Sequence, residues 1–187
     1  MIWRTAGLPD LAATAATWRA EARRLGLGGL YLCGLEVPGR PRDAAALDAV
    51  VCFEPSRARR AATGLRPRAL SPHGDYLYDY QEQTRHACSY LRGLPDAAHP
   101  CVFPAWDNSP RRTADATIYT GSDPATYGRW LRSACNHALS RPAVPPLVFV
   151  NAWNEWAEGC HLEPDEQHGR GYLEETRRVT ATLRTAR

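Results

Sequence analysis

Glu155 and Glu158 stand three residues apart in the stretch Leu147 to Pro164, with Trp153, Asn154 and Trp156 interleaved among them. Two carboxylates, one with raised proton affinity and one without, are the equipment for glycosidic bond chemistry. One protonates the leaving oxygen and the other acts as base or nucleophile. Trp153 and Trp156 would offer flat apolar faces to sugar rings. On a strand the two glutamates would point to opposite faces; on a helical turn they would share one. For both to serve one site, the strand must end near Trp153 and the chain must then coil. Gly159 and Pro164 fit such an irregular segment. The residues leave a second reading open, in which the tryptophans pack in the core and the glutamates are solvated.

A second cluster, Trp106, Asp107, Asn108 and Arg111, has the types that hold sugar hydroxyls, with Arg111 suited to an acidic sugar or a phosphate. Asp-Asn-Ser-Pro is also good turn chemistry, so an Asx-type turn competes. His73 and His161 are single histidines for which sugar contact and a structural role weigh equally. Cys160, His161, Glu163, Asp165 and His168 crowd together. Glu158 and His161 even have the spacing of a di-iron helix motif, but Gly159 and Pro164 argue against a helix there, and the motif must occur twice. No metal site is expected, no cofactor, and no nucleophilic role for Cys160. The chain has no lysine, which excludes a Schiff-base or P-loop lysine from it.

These residues need strands to present them. Leu147 to Trp153 reads as a buried strand, with its ladder residues at Leu147–Asn151. Earlier strands are expected at Gly29–Leu35, Ala49–Phe53 and Cys101–Phe103, and Met1 to Arg4 as the stub of another. Helices are expected over Pro9 to Leu25, with Leu11, Ala15, Trp18, Ala22 and Leu25 on one face, over Tyr80 to Leu91, over Asp123 to Leu139 and over Tyr172 to Arg184. Asp123 is the candidate cap of the third, with Pro124 at its first position. A short helix signal lies at Arg42 to Leu47, and the rest of Ser56 to Pro100 reads as loop. Alternating strands and helices predict a parallel sheet. Glu36, Glu54, Asp107 and Glu155 then follow strand ends on one rim, where such folds build their sites.

Composition bounds the class. The 187 residues, 44% hydrophobic and 23% charged, fit one globular domain. A net charge of +3 is too mild to argue for nucleic acid or a membrane surface. No apolar stretch approaches the roughly 20 residues of a membrane span, and the N-terminus has no signal-peptide pattern. The six cysteines form no C-x-x-C pair and read as buried free thiols, Cys33, Cys52 and Cys101 in strands. A cytoplasmic location is expected.

The segment Asn151 to Gly159 followed by Leu162-Glu163-Pro164-Asp165, the block Phe103 to Arg112, and Leu27 to Leu32 resemble the WbsX-type glycosyltransferases, also described as glycoside hydrolase family 99-like domains. The resemblance implies a (β/α)8 barrel acting on saccharides, of which this chain is the C-terminal half: parallel strands with flanking helices. It implies Glu155 as the base that deprotonates the sugar 2-hydroxyl and Glu158 as the general acid/base. Trp106, Asp107, Asn108, Arg111, Trp153, Asn154, Trp156, His161 and Glu163 become substrate-binding candidates. The substrate class implied is a cell-surface polysaccharide or O-antigen, as in lipopolysaccharide biosynthesis, with water or a sugar as acceptor. Four strands cannot close an eight-stranded barrel, so the sequence predicts a truncated domain. Such a half would self-associate or pair with a separate N-terminal half. The functional alternative is a non-catalytic remnant that at most binds saccharide.

Overall fold

The computed structural model describes residues 1–2, 5–35, 46–55, 64–72 and 74–184. Helix α1 (Leu11–Arg24) starts where the Asp10 carboxylate accepts from the Ala13 N–H at 2.8 Å, a standard N-cap. It ends in a Schellman turn: Gly26 takes φ +71° and the Leu27 N–H reaches the Ala22 carbonyl. Ala15 and Ala22 carry its buried face, while Trp18 and Leu25 lie exposed. The expected five-residue stripe is therefore narrower: Leu11 packs partly buried against the cluster of Ala15 and Leu32, and only Trp18 and Leu25 leave it.

Strands β1 (Cys33–Leu35), β2 (Ala49–Cys52), β5 (Ala98–Val102) and β7 (Phe149–Val150) form one parallel sheet in the order β1-β2-β5-β7. It is curled into a half-barrel flanked by helices. Ile2 adds a parallel bridge to Gly34 on the far side of β1, the remnant of the expected N-terminal strand. Alternate residues face opposite sides. Val50, Cys52 and Val102 enter the main core, whereas Ala49, Val51 and Cys101 join Cys33 in a smaller cluster. Such two-sided burial is the habit of parallel strands. All six cysteines are free, and Cys33, Cys52 and Cys101 are buried in strands as expected.

Helices α2 (Tyr80–Leu91), α3 (Pro124–Leu139) and α4 (Gly171–Arg184) cover this sheet or one another. Asp79 caps α2 through the Glu82 N–H at 2.7 Å, and Asp123 caps α3 through the Thr126 N–H at 2.9 Å with Pro124 at its first position. Tyr80 of α2 and Trp130 of α3 pack edge-on around Phe103, with ring centroids 5.5 and 5.0 Å from it. The Tyr80 hydroxyl donates to the Phe103 carbonyl at 2.5 Å, so the strand leading to the second cluster is pinned from behind.

The region expected to be loop contains a second sheet. Strands β3 (Ala69–Leu70) and β4 (Tyr76–Asp79) form a hairpin, and β4 pairs in parallel with β6 (Thr117–Thr120). All four expected strands shift. Strand β1 begins at Cys33 rather than Gly29, β2 ends at Cys52 rather than Phe53, β5 runs Ala98–Val102 rather than Cys101–Phe103, and β7 contains only Phe149–Val150. The Leu147 N–H turns back to the Pro145 carbonyl at 2.8 Å, which keeps the residues after the proline pair out of the ladder. Glu36, the helix signal at 42–45 and His73 fall outside the described residues.

Strand β7 has a ladder partner on one side only among the described residues. An open parallel edge beside half-exposed Phe149 and Val150 is a template for association. The purified chain is expected to self-associate, read by light scattering as a mass above that of one chain. A sharp monomer peak at all concentrations would refute this. Among the described residues no helix is long and apolar enough to cross a membrane.

Candidate active site

The chain leaves the sheet at Asn151. Its N–H still reaches the Val102 carbonyl at 2.9 Å, and its side-chain amide donates to the Glu54 carbonyl at 3.0 Å. The end of β7 is thus tied to its neighbour β5 and across to the segment after β2. From there the backbone closes a tight loop. Strands β8 (Asn154–Glu155) and β9 (Cys160–His161) pair antiparallel, and the 3-10 turn Trp156–Glu158 joins them. The Cys160 thiol donates to the Asn151 carbonyl at 2.8 Å, and burial pushes this thiol far above its usual range. Cys160 is a structural pin under the loop, as a buried, protonated thiol must be.

Glu155 and Glu158 lie at the two ends of that one turn, and Arg111 gathers them. One of its terminal nitrogens is 3.5 Å from Glu155 Oε1 and 3.1 Å from Glu158 Oε1. The strand ends at Val150, earlier than the expected Trp153, and the chain then coils, as a shared site requires. The glutamates differ in setting: the Glu155 side chain is 42% exposed and that of Glu158 23%. Burial pushes the Glu158 carboxyl above the usual range; Arg111 pulls it back, the Glu155 charge adds to the rise, and Arg112 opposes it. Burial prevails, which is the condition for a carboxyl that is to give up a proton near neutrality.

Arg111 was a candidate for an anionic ligand; here the two carboxylates take it up. Removing its charge should therefore strengthen the hold of Glu158 on its proton. For Arg111→Met we expect the alkaline limb of the pH–rate profile to move to higher pH, with turnover lowered about tenfold as the paired carboxylates lose their fixed geometry. An unmoved limb would show that the guanidinium does not govern this proton.

The second cluster supplies that arginine. Asp107 Oδ1 accepts from the Ser109 N–H at 2.9 Å, and Asn108 Oδ1 accepts from the Thr117 N–H at 2.8 Å. The Asp107 bond is the Asx turn that opens the 3-10 turn Ser109–Arg111, whereas the Asn108 side chain ties that turn to the distant Thr117 backbone. The Asp107 N–H donates to the Glu158 carbonyl at 2.8 Å, which locks this turn to the glutamate turn. Gly159 makes the lock possible. It sits at φ +55°, and a Cβ there would come within 3.2 Å of the Asp107 backbone nitrogen and Cβ. Gly159→Ala should destabilise the chain by about 1–2 kcal/mol from the left-handed backbone alone. The urea midpoint measures it, and an unchanged midpoint would contradict it.

The aromatic candidates separate. Trp106 is buried, but Trp153 and Trp156 are 54% and 49% exposed, which removes the core-packing reading for both. Trp156 is prepared as a platform. His161 stacks on it with centroids 3.7 Å apart and planes 16° from parallel, and its indole N–H donates to Glu163 Oε2 at 2.7 Å. His161 Nδ1 lies 3.3 Å from the Glu163 carbonyl. His161 and Glu163 thus orient the indole, while Asn154 stands exposed beside the carboxylates. Among the described residues no three His, Cys, Asp or Glu gather at metal-binding distance. Arg112 and the tyrosines of β4 were missed by the sequence reading; the one available signal was the doubled arginine closing the Phe103 to Arg112 block.

The family model described as "Glycosyltransferase WbsX" matches residues 1–176. Two proteins of Xanthomonas campestris pv. campestris, each called uncharacterized protein WxcX, are 38% and 39% identical over 186 residues, in strains B100 and ATCC 33913 respectively. The alignments cover 96% of this chain and 26% of each relative, so the chain spans about a quarter of their length. Among solved structures, a glycoside hydrolase-like protein superposes with a TM-score of 0.52 at 18% identity, over 92% of this chain and 50% of its own. That likeness concerns the fold.

Proposed function

Because the chain belongs to the WbsX glycosyltransferase family, and is thereby a carbohydrate-active protein, we propose that Glu155 and Glu158 make or break glycosidic bonds of a cell-surface polysaccharide of the O-antigen kind. The observation that carries this reading is the pair itself: two glutamates on one turn, sharing one guanidinium, with burial raising the carboxyl of Glu158. The Glu155 carboxylate takes the proton of the donor sugar's 2-hydroxyl. That oxygen attacks the anomeric carbon, the bond to the leaving oxygen breaks, and Glu158 gives the leaving oxygen its proton. The now ionised Glu158 deprotonates an acceptor hydroxyl, which opens the strained ring, and Glu155 returns its proton to the 2-oxygen. Trp153 and Trp156 are proposed to carry the flanking rings, with Asn154 contacting hydroxyls, and the half-barrel to be one half of a (β/α)8 barrel.

The test is turnover of a glycosyl fluoride donor with and without saccharide acceptors, products read by mass spectrometry. Lengthened acceptors mean transfer and free sugar means hydrolysis; wild-type rates in the Glu155→Gln, Glu158→Gln double variant would overturn the reading. A second reading, saccharide binding without turnover, is favoured by the two exposed tryptophans, which hold rings whether or not a bond is broken. It predicts binding with no product.

A further inference from the structure

Beside the Ser109–Arg111 turn lies a cleft of about 320 Å³, at the small end of ligand pockets, which run from about 300 to 1,000 Å³. It is walled by Tyr76, Tyr78, Trp106, Asn108, Arg112 and Asp115. The unexpected second sheet builds it. Tyr76 and Tyr78 come from β4, and Tyr78 is held by stacking on Tyr119 of β6 at 5.3 Å. The Tyr119 N–H donates to the Trp106 carbonyl at 2.8 Å and the Asn108 N–H to the Thr117 carbonyl at 3.3 Å, so β6 fixes the opposite wall as well.

The polar groups of the cleft are arranged and partly unspent. Asn108 uses its oxygen on Thr117, leaving its amide NH2 with no hydrogen bond to a described residue. Among the described residues the Arg112 guanidinium makes a single long hydrogen bond, 3.5 Å to the Asp115 carbonyl oxygen, and the Asp115 carboxylate accepts none. Donors and an acceptor therefore face the cleft alongside three aromatic rings, and the two formal charges cancel. An anion would meet Asp115, and a cation would meet Arg112. A neutral ring with polar edges and an apolar face satisfies all of them. One turn carries both features: Arg111 holds the two glutamates, and Arg112, the next residue, lines the cleft while its charge still reaches Glu158.

We propose that this cleft is a saccharide subsite for one neutral hexopyranose ring, separate from the Trp153 and Trp156 platform, with Arg112, Asp115 and the Asn108 amide binding hydroxyls and the aromatic wall taking the ring face. It rests on the saccharide reading of the neighbouring carboxylates and adds the position and the charge class of a second sugar. It makes the Arg111-Arg112 pair a joint between chemistry and recognition.

Saturation-transfer NMR of the 187-residue chain with D-glucose, D-mannose, D-galactose and D-glucuronate tests it. At least one neutral hexose should bind at millimolar concentration. Arg112→Ala should weaken that binding about tenfold, the loss of a charge-assisted hydrogen bond. Asn108→Asp, which keeps the acceptor for Thr117 but removes the amide donor, should weaken it similarly with an unchanged urea midpoint. No binding of any neutral hexose, binding indifferent to both variants, or preference for D-glucuronate would overturn the proposal. Turnover is read separately in the Glu155→Gln, Glu158→Gln double variant. Its loss alongside persistent hexose binding is the expected result, whereas retained turnover would sink the two-carboxylate mechanism without touching the titration.

Discussion

Glu158→Gln is expected to lower turnover of an ordinary saccharide donor by about 10²–10⁴, the usual contribution of a positioned general acid. The amide keeps the size of the carboxyl and can still bond to a ring, so binding should change little. The wild-type profile carries the sign of the effect. Because burial raises the Glu158 carboxyl, the acid form persists above the ordinary glutamate range, and activity should fall as pH rises through the raised value. That limb should vanish in the variant. A glycosyl fluoride, whose leaving group needs no proton, should recover part of the lost rate, the acceptor step still lacking its base. Stability provides the control. A folded-state value raised above the unfolded one means that the protonated group's contribution is fully present below the unfolded value and lost as pH rises through the folded one. At neutral to alkaline pH a permanently neutral Gln should therefore leave the urea midpoint unchanged or slightly higher. A lower midpoint would point to misfolding as the cause of inactivity, and full turnover would remove Glu158 from the mechanism.

How far this arrangement could be read from sequence depended on whether the cause was local. Helix α3 was legible because Asp123 and Pro124 are a cap and a first turn in themselves; α2 buries Gln83 and Thr84 beside Tyr80 and Leu91, so its face is only partly apolar. Strand β7 was overextended: its valines and phenylalanine have the right propensity, but the proline pair before them bends Leu147 out of reach of β5. Strand β4 was invisible for the opposite reason. Tyr76 to Asp79 has no alternation; beyond a two-residue hairpin with Ala69–Leu70 it is held by pairing along its whole length with Thr117 to Thr120, some forty residues on, a long-range choice that no local window contains. The site shows the same division. The glutamate turn was legible from spacing and Gly159, and Asp107 from turn chemistry, but not the long-range bond of Asn108 to Thr117. That Arg111 would answer two carboxylates, and Arg112 a separate cleft, follows from how the two turns dock through Asp107 and Glu158.

Glu155→Gln should cost about as much as Glu158→Gln, again about 10²–10⁴ in turnover, but it should fail differently. A base that activates the donor's own 2-hydroxyl is needed whatever the leaving group, so the fluoride donor should not restore the rate. The residual activity should also titrate differently. The Glu155 charge is one of the groups that raise Glu158; with Gln in its place Arg111 acts on Glu158 alone, and the alkaline limb should move to lower pH, opposite to the shift expected for Arg111→Met. Two substitutions around one proton, displacing one limb in opposite directions, are a signature that general loss of structure would not produce. The double variant should be little worse than either single one, because residues acting in one step are not additive. Rescue of Glu155→Gln by the fluoride donor would refute its role as the base. An unmoved or alkaline-shifted limb would show that the two carboxylates do not sense each other across Arg111.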